Sequence, residues 1–248
     1  MSSDSAVMLR RNVKHTLRNP VAVFNAIIMP IVMMLMFVYV FGDAFNVGGG
    51  DYIDYATPGM LMMAIVYGLS ATAIAVNSDM TKGIINRFKV MDVSRSAVLT
   101  GHVVSTVVRT TLALAAILGV AFLFGFSPTG SFLHWLAVAG VLLLVIVAVS
   151  WLTVAFGLAA KTQESAGFAM VPLIMLPFFS SAIVPADKMG PGIREFAQYQ
   201  PFTSIIESMR GFFTGVPNDG QTLAAIAWSL GIAVVGYVWA RSKFDKRA

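Results

Sequence analysis

Residues 79–102 are the segment whose residue types and spacing are best suited to binding, because basic side chains there flank a row of apolar side chains. The apolar positions recur at helical spacing and the polar positions lie between them. The apolar set is Ile84, Ile85, Phe88 and Met91, and the polar set is Lys82, Asn86, Arg87 and Lys89. A short amphipathic helix of this kind either lies on lipid headgroups or docks in a groove of a soluble partner. The pattern alone leaves both roles open.

No residue pattern in the chain indicates catalysis or nucleotide binding. A phosphate-binding P-loop needs a glycine directly before its Lys-Ser/Thr pair, and the closest approach, Ala160-Lys161-Thr162, lacks it. Neither an H-E-x-x-H helix nor a G-x-S-x-G elbow occurs, and the chain has no cysteine. The three histidines, His15, His102 and His134, are not at metal-ligand spacing. We therefore expect no enzyme active site, metal or cofactor on this chain.

Arg109 is the one charged residue well inside an apolar segment. It follows Val103 by six residues, which is roughly 9 Å at ~1.5 Å per helical residue. An arginine can extend most of that distance toward the membrane surface. The alternative is a role in gating, or in binding a substrate or a partner subunit. No Asp or Glu lies in the middle of any apolar segment, so the usual groups for ion-coupled transport are missing and the energy must come from another chain.

The composition is that of a membrane protein. Hydrophobic residues make up 57% of the 248 residues and charged residues 12%, against roughly 45–50% and about 25% in soluble domains. This excludes an ordinary soluble or disordered protein. The long unbroken apolar blocks also argue against a membrane β-barrel, whose strands alternate.

The apolar blocks predict an all-α integral membrane protein with a single transmembrane domain, 1–248. Each block is close to the ~20 residues that cross a hydrocarbon core. The predicted spans are 21–42, 57–78, 103–126, 135–159, 166–184 (broken by Pro172 and Pro177) and 222–240. Residues 1–20 predict an amphipathic interface helix with Arg11, Lys14 and Arg18 on its polar face, although a basic flank without a helix is the alternative. Residues 43–56 predict an exposed loop and 241–248 a short basic tail.

The distribution of Lys and Arg predicts the orientation. With the N-terminus inside, thirteen of the seventeen fall in inner segments and three in outer segments. Both termini are therefore expected in the cytoplasm of a bacterial cell, with the chain in the inner (plasma) membrane. Because the positive charges lie beside predicted spans, we expect membrane lipid and no nucleic acid as a partner.

Flexible thioether side chains predict part of a substrate pathway. Methionines are concentrated in the first two spans, and they suit adaptable hydrophobic surfaces. The candidates are Met29, Met33 and Met63, together with Asn25 and Arg109. The alternative is that these methionines are core or lipid-facing residues.

Several short motifs, in order along the chain, resemble type-2 ABC exporter permeases, most closely the daunorubicin-resistance DrrB-like branch. They run from about Leu9 to Val216. They are Phe37-Val38-Tyr39-Val40-Phe41-Gly42, Asp54-Tyr55-Ala56-Thr57-Pro58-Gly59, Lys82-Gly83-Ile84-Ile85-Asn86-Arg87-Phe88-Lys89, Arg95-Ser96-Ala97-Val98-Leu99-Thr100-Gly101, Phe179-Ser180-Ser181-Ala182-Ile183-Val184-Pro185, and Gln200-Pro201-Phe202-Thr203 with Met209-Arg210. Asn86 and Asp92 depart from the family, which often has an acidic residue and a proline there.

The resemblance implies six spans and a cytoplasmic coupling helix between spans 2 and 3. It also implies a permease dimer, formed with a second copy or a homologous permease. Two separate ABC ATPase subunits would carry the ATP and Mg. The implied coupling residues are Asp79, Lys82, Gly83, Asn86, Arg87 and Phe88. Re-entrant extracellular helices are implied between spans 5 and 6, in a region that contains Pro185, Pro201, Phe202 and Arg210.

The implied function is export of hydrophobic or amphiphilic drugs or antibiotics. The neighbouring alternative is export of lipid, polyketide glycolipid or other envelope material, which the same fold serves. An ion-coupled carrier or channel is disfavoured by the missing carboxylates, and a membrane enzyme by the missing catalytic groups.

Overall fold

A computed structural model describes residues 20–40, 42, 50–81 and 95–247, and for residues 20–27, 95–98 and 245–247 it describes the helical backbone alone. Within these residues every regular element is helical. The helices are α1 (Pro20–Leu35, continued by a π-helical turn, Met36–Val40), α2 (Tyr52–Thr81), α3 (Arg95–Leu123), α4 (Phe132–Ala159), α5 (Gln163–Ala169), α6 (Val171–Met175), α7 (Ile193–Tyr199), α8 (Pro201–Phe213) and α9 (Asp219–Arg247), with 3-10 turns at Leu176–Phe179 and Ala186–Lys188.

Four of the described helices are long and apolar enough to cross a membrane. They are α2, residues Leu99–Leu123 of α3, α4, and residues Asp219–Phe244 of α9. Two shorter apolar stretches, Ile28–Val40 and Gln163–Phe179, accompany them. The predicted all-helical, membrane-type architecture is therefore confirmed for the described residues.

Helix α2 lies at the centre of the bundle and packs against α1, α3, α4, α5 and α8, while α9 packs along α4. Helix α3 is antiparallel to α2, because Thr72 contacts Thr106 while Asp79 contacts His102. We call the end where α2 stops at Thr81 the connector end, and the end that holds α8 the α8 end.

Small residues let the long helices approach closely. A Cβ atom on Gly157 of α4 would lie 2.6 Å from the carbonyl oxygen of Ala73 in α2. A Cβ atom on Gly236 of α9 would lie 2.5 Å from the backbone nitrogen of Leu152 in α4. Because lipid is as apolar as a protein core, such close contact and interhelical hydrogen bonds hold membrane helices together.

The outward faces of α3 and α9 remain apolar. Leu112 and Leu123 on α3, and Val234 and Val235 on α9, are largely exposed. An apolar exterior of this extent is expected of helices that face lipid or another membrane subunit.

Several helix ends lie a few residues from the boundaries predicted for the apolar blocks and loops. The exposed loop was expected to reach Ala56, but α2 begins at Tyr52 because the hydroxyl groups of Tyr52 and Tyr55 donate hydrogen bonds to the carbonyl oxygens of Ile183 and Ser181. The third span was expected at 103–126, whereas α3 runs from Arg95 to Leu123 and Gly125 turns the chain with a φ of 101°.

The end of the chain and the fifth apolar block also differ in detail. Residues 241–247, expected as a tail, are the last turns of α9. The block 166–184 is divided into α5, α6 and a 3-10 turn, with Pro172 in the first turn of α6 and Pro177 in that of the 3-10 turn. Proline lacks the N–H group that a continuous helix would need at these points. The predicted interface helix, 1–20, lies outside the described residues except for Pro20.

Candidate functional site

The connector end joins the two helices that flank residues 82–94. Asp79 lies in the last turns of α2 and His102 in the first turns of α3, with Asp79 Oδ2 3.3 Å from His102 Nε2. Both side chains are mostly buried. A displacement applied to the connector would therefore reach α2 and α3 together.

Asn77 connects a third helix, α4, to the connector end of α2. Its side chain is fully buried, and its Nδ2 donates hydrogen bonds to the carbonyl oxygens of Gly157 (3.2 Å) and Ala160 (2.7 Å). The Gly157 carbonyl belongs to the last turn of α4, where helical N–H partners run out, and Ala160 is the residue that follows the helix. The amide therefore caps α4 and fixes it to α2.

A polar cluster lies halfway along the bundle, between α2 and α3. Arg109 Nη2 donates hydrogen bonds to the carbonyl oxygen of Gly68 (3.1 Å) and to Thr72 Oγ1 (3.0 Å). Thr72 Oγ1 also lies 3.1 Å from Thr106 Oγ1. The guanidinium is thus turned onto α2 rather than extended along its own helix.

Arg210 of α8 organises the opposite end of the bundle. Its Nη2 donates to the carbonyl oxygens of Ser181 (2.8 Å) and Tyr55 (3.1 Å), and its Nε also donates to Tyr55 (3.3 Å). Glu207 accepts from Nη1, and the guanidinium lies 3.8 Å from the centre of the Tyr55 ring. One side chain therefore connects α8, the end of the fifth apolar block and the start of α2.

An aromatic cluster around Phe213, three residues after Arg210, supports this arrangement. The Phe213 ring lies 5.2 Å from that of Phe126 and 5.1 Å from that of Trp135, in edge-to-face contacts. The carbonyl oxygen of Phe213 accepts hydrogen bonds from the backbone N–H groups of Thr129 and Gly130, both at 2.9 Å. The α3–α4 loop and α8 therefore form one packed unit.

The start of α7 contains a charged cap outside the long helices. Gly192, with a φ of 84°, donates its backbone N–H to the Glu195 carboxylate. Hydrogen bonds from the backbone N–H groups of Glu195 and Gly192 lower the pKa of Glu195 below its ordinary value of 4.5. The carboxylate is therefore charged at neutral pH and holds the first turn of α7.

The predicted pathway residues do not share one environment. Met29 is half exposed, Met33 is partly buried and Met63 is buried in the core. Asn25 lies in α1, where the structure describes the backbone alone. Arg109 lies on α3, against α2.

Three of the predicted residues of the re-entrant region, Pro201, Phe202 and Arg210, lie in α8, and Pro185 lies outside it. Pro201 is the first residue of α8, Phe202 is fully buried beside it, and Pro185 precedes a 3-10 turn. Of the predicted coupling residues, only Asp79 is described. Lys82, Gly83, Asn86, Arg87 and Phe88, and the interface residues Arg11, Lys14 and Arg18, lie outside the described residues.

Sequence reasoning missed the partners of these residues. His102 was noted only as one of three histidines that are not at metal-ligand spacing, and Thr72, Thr106 and Glu207 were not considered. The available signal was polarity within apolar helices, since polar residues there commonly bond between helices. Across the described ranges, no three His, Asp or Glu side chains come together as a metal site would require.

The sequence of this chain is similar to those of known proteins. The family model described as "ABC-2 type transporter" matches residues 5–214. The daunorubicin resistance ABC transporter permease protein DrrB1 of Streptomyces coeruleorubidus is 29% identical over 220 residues, covering 87% of this chain and 77% of that protein. The probable doxorubicin resistance ABC transporter permease protein DrrC of Mycobacterium tuberculosis is 29% identical over 222 residues, covering 88% and 79%.

Proposed function

Because the chain belongs to the ABC-2 type transporter family, we propose that it is the permease of an exporter that moves hydrophobic or amphiphilic drugs or antibiotics out of the cell. The observation that carries this proposal is the family match across residues 5–214, together with the long apolar helices. The resemblance noted in the sequence is confirmed, and the chain is a multi-pass membrane transport subunit. The resistance named for its relatives supports a drug as cargo.

The energy for transport comes from ATP hydrolysis by separate chains. Two copies of an ABC ATPase bind ATP and Mg, and a second copy of this permease, or a homologous one, completes the pathway. Support comes from the sequence, in which the nearest approach to a P-loop, Ala160-Lys161-Thr162, lacks the required glycine.

Coupling takes place through residues 82–94. A short helix there, with Lys82, Gly83, Asn86, Arg87 and Phe88, docks in a cleft of the ATPase. The Asp79–His102 contact supports this role, because it joins the two helices that the connector links. Closure of the ATPase pair would then move α2 and α3 as one lever.

The proposed arrangement in the membrane follows from the assignment of the chain to this transporter family. The chain crosses six times, through α1 with its π-helical turn, α2, α3, α4, the segment Gln163–Phe179, and α9. Both termini lie in the cytoplasm beneath the bacterial inner membrane, and residues 1–20 lie on its surface. The short helices α7 and α8 re-enter the outer leaflet. The half-exposed Ile193 and Phe196 of α7 support this placement, since lipid would cover them.

Co-purification tests the proposal. The permease carries an affinity tag and is expressed with the ABC ATPase encoded beside its gene. We expect the ATPase to co-purify and to hydrolyse ATP, and inside-out vesicles to take up an amphiphilic fluorescent drug such as doxorubicin when ATP is added. An ATPase that fails to co-purify would contradict the proposal in this form.

A matched pair of variants tests the docking segment. Replacing Arg87 and Phe88 with alanine should remove the ATPase from the purified complex, because truncating a buried interface anchor costs about 2 kcal/mol or more. The control replaces Arg194 and Phe196, the same residue types on the exposed surface of α7, and should leave the complex intact. Equal retention of the ATPase by both double variants would remove the docking role from residues 82–94.

A further inference from the structure

Helices α4 and α9 run in the same direction and stay in close contact as far as the connector end. A Cβ atom on Gly236 of α9 would lie 2.5 Å from the backbone nitrogen of Leu152 in α4. About one turn further along both helices, the rings of Phe156 and Trp239 lie 5.0 Å apart in an edge-to-face contact. We call the line of contact marked by these two rings the α4–α9 seam.

Two lysines flank the α4–α9 seam at the connector end. Lys243 follows Trp239 by four residues, so it lies on the same face of α9, one turn nearer the helix end. The backbone N–H of Ala160 donates to the carbonyl oxygen of Phe156 at 3.0 Å, so Lys161, the next residue, lies about one turn beyond Phe156. Packed helices are roughly 8–10 Å apart, and lysine has a flexible four-carbon stem. One anionic group between the helix ends is therefore within reach of both ammonium groups.

No acidic side chain of the described residues compensates these two charges. Neither Lys161 nor Lys243 forms an ion pair with a described carboxylate. Glu164, three residues after Lys161, is exposed, and Asp79 at the same end contacts His102. Basic side chains beside the ends of membrane helices attract anionic lipid headgroups, and basic pockets between such helices bind them.

The apolar surface below the lysines has the layout of a phospholipid. Val235 precedes Trp239 by four residues on the same face of α9, and 60% of its surface is exposed. Val235, Trp239 and Lys243 thus place apolar, aromatic and basic side chains in order toward the connector end. Tryptophan is enriched at the level of the lipid headgroups. An acidic protein surface would match the lysines but would leave the apolar part of this face uncovered.

We propose that the α4–α9 seam binds an anionic phospholipid, with its phosphate between Lys161 and Lys243 and an acyl chain along Trp239 and Val235. The inference goes beyond the proposed function and requires only that the chain is a membrane protein. In the proposed orientation, the lipid belongs to the inner leaflet. A zwitterionic phospholipid is disfavoured because its own cationic group would lie close to the two lysines.

Quenching by brominated lipid tests the inference, because bromine on an acyl chain quenches the fluorescence of a tryptophan that it contacts. The purified permease is reconstituted in phosphatidylcholine vesicles with a rising fraction of brominated phosphatidylglycerol, or of brominated phosphatidylcholine with the same chains. The difference between wild type and Trp239→Phe gives the signal of Trp239. At about fivefold for each basic side chain, phosphatidylglycerol should be preferred about 25-fold. Equal quenching of Trp239 by the two lipids would overturn the proposal.

Single variants separate a defined site from general surface charge. Lys161→Gln and Lys243→Gln should each lower the preference about fivefold, and the double variant should abolish it. The control is Arg241→Gln, which removes an exposed cation at the same end but on the opposite side of α9, two residues before Lys243. It should change the preference by no more than about twofold. Equal losses in Arg241→Gln and Lys243→Gln would assign the effect to diffuse charge and overturn the site.

Native mass spectrometry provides a second measurement that does not depend on Trp239→Phe. The Lys161→Gln/Lys243→Gln protein should retain one phosphatidylglycerol fewer than the Arg241→Gln protein, and equal numbers would overturn the proposal.

The ATPase is the competing occupant of the two lysines. The lipid preference of Trp239 should persist in the complex with the ATPase, and its loss there would assign the lysines to the ATPase instead. The quenching assay on the permease alone contains no ATPase. Failure of the ATPase to co-purify would therefore overturn the proposed function and leave the lipid result standing, whereas equal quenching would remove only the lipid site.

Discussion

Asp79 Oδ2 and His102 Nε2 lie 3.3 Å apart at the connector end and join the last turns of α2 to the first turns of α3. Because both side chains are mostly buried, water screens the contact less than it would on the surface. The pair is therefore a mechanical link across the segment that we assign to ATPase docking.

A double-mutant cycle should detect this link. Asp79→Asn, His102→Gln and the double variant are compared by thermal unfolding of the purified permease. We expect a coupling free energy of about 1 kcal/mol, because each single variant removes the same contact. Ser78→Ala, at the neighbouring position in α2, combined with His102→Gln should give additive effects. Additivity in the Asp79–His102 cycle would contradict the link.

Arg210→Lys should destabilise the α8 end although it keeps the positive charge. Lysine cannot reproduce the planar fork that reaches the carbonyl oxygens of Ser181 and Tyr55 together. We expect a loss of about 2 kcal/mol in the free energy of unfolding, measured by denaturant titration.

Arg194→Lys is the matched control for Arg210→Lys. Arg194 also donates to a backbone carbonyl, that of Met189, but it is exposed. Its replacement should change the free energy of unfolding by no more than about 0.5 kcal/mol. If the two variants lose equal stability, Arg210 does not fasten the α8 end as described.

Gly157→Ala should weaken the contact between α2 and α4. The new methyl group would lie 2.6 Å from the carbonyl oxygen of Ala73 and 3.0 Å from Val76 Cβ, so the helices must separate. We expect a loss of about 1–3 kcal/mol in a thermal or denaturant assay. Gly140→Ala in the same helix meets nothing within 4 Å and should leave stability unchanged or slightly raised. A Gly157→Ala protein as stable as wild type would refute the close approach.

Acid should loosen the start of α7. The pKa of Glu195 is lower in the folded protein than its ordinary value of 4.5, so the charged cap stabilises α7 above that pH. This stability is lost as the pH falls below 4.5 and through the folded-state pKa. Hydrogen exchange of residues 193–199, corrected for intrinsic rates, should show falling protection over that range. Glu195→Gln should abolish the pH dependence, and a dependence that persists in this variant would assign it to another group.

The positions of the long helices were predictable because hydrophobicity is a property of consecutive residues. The block predicted at 135–159 corresponds to α4, Phe132–Ala159, and the prolines at 172 and 177 signalled the divided fifth block. The start of α2 was misplaced because Tyr52 and Tyr55 are held by backbone oxygens more than a hundred residues away. A local pattern carries no information about such partners.

The sequence by itself determined that this chain is a helical membrane permease without a P-loop of its own, because composition, apolar block length and family motifs are all read along one dimension. Only the tertiary structure decided that Arg109 turns onto Gly68 and Thr72, and that Arg210 reaches Tyr55 across 155 residues. Helical periodicity defines the face on which a side chain lies. Which helix covers that face depends on how the helices pack, and that packing determines what each buried polar group contacts.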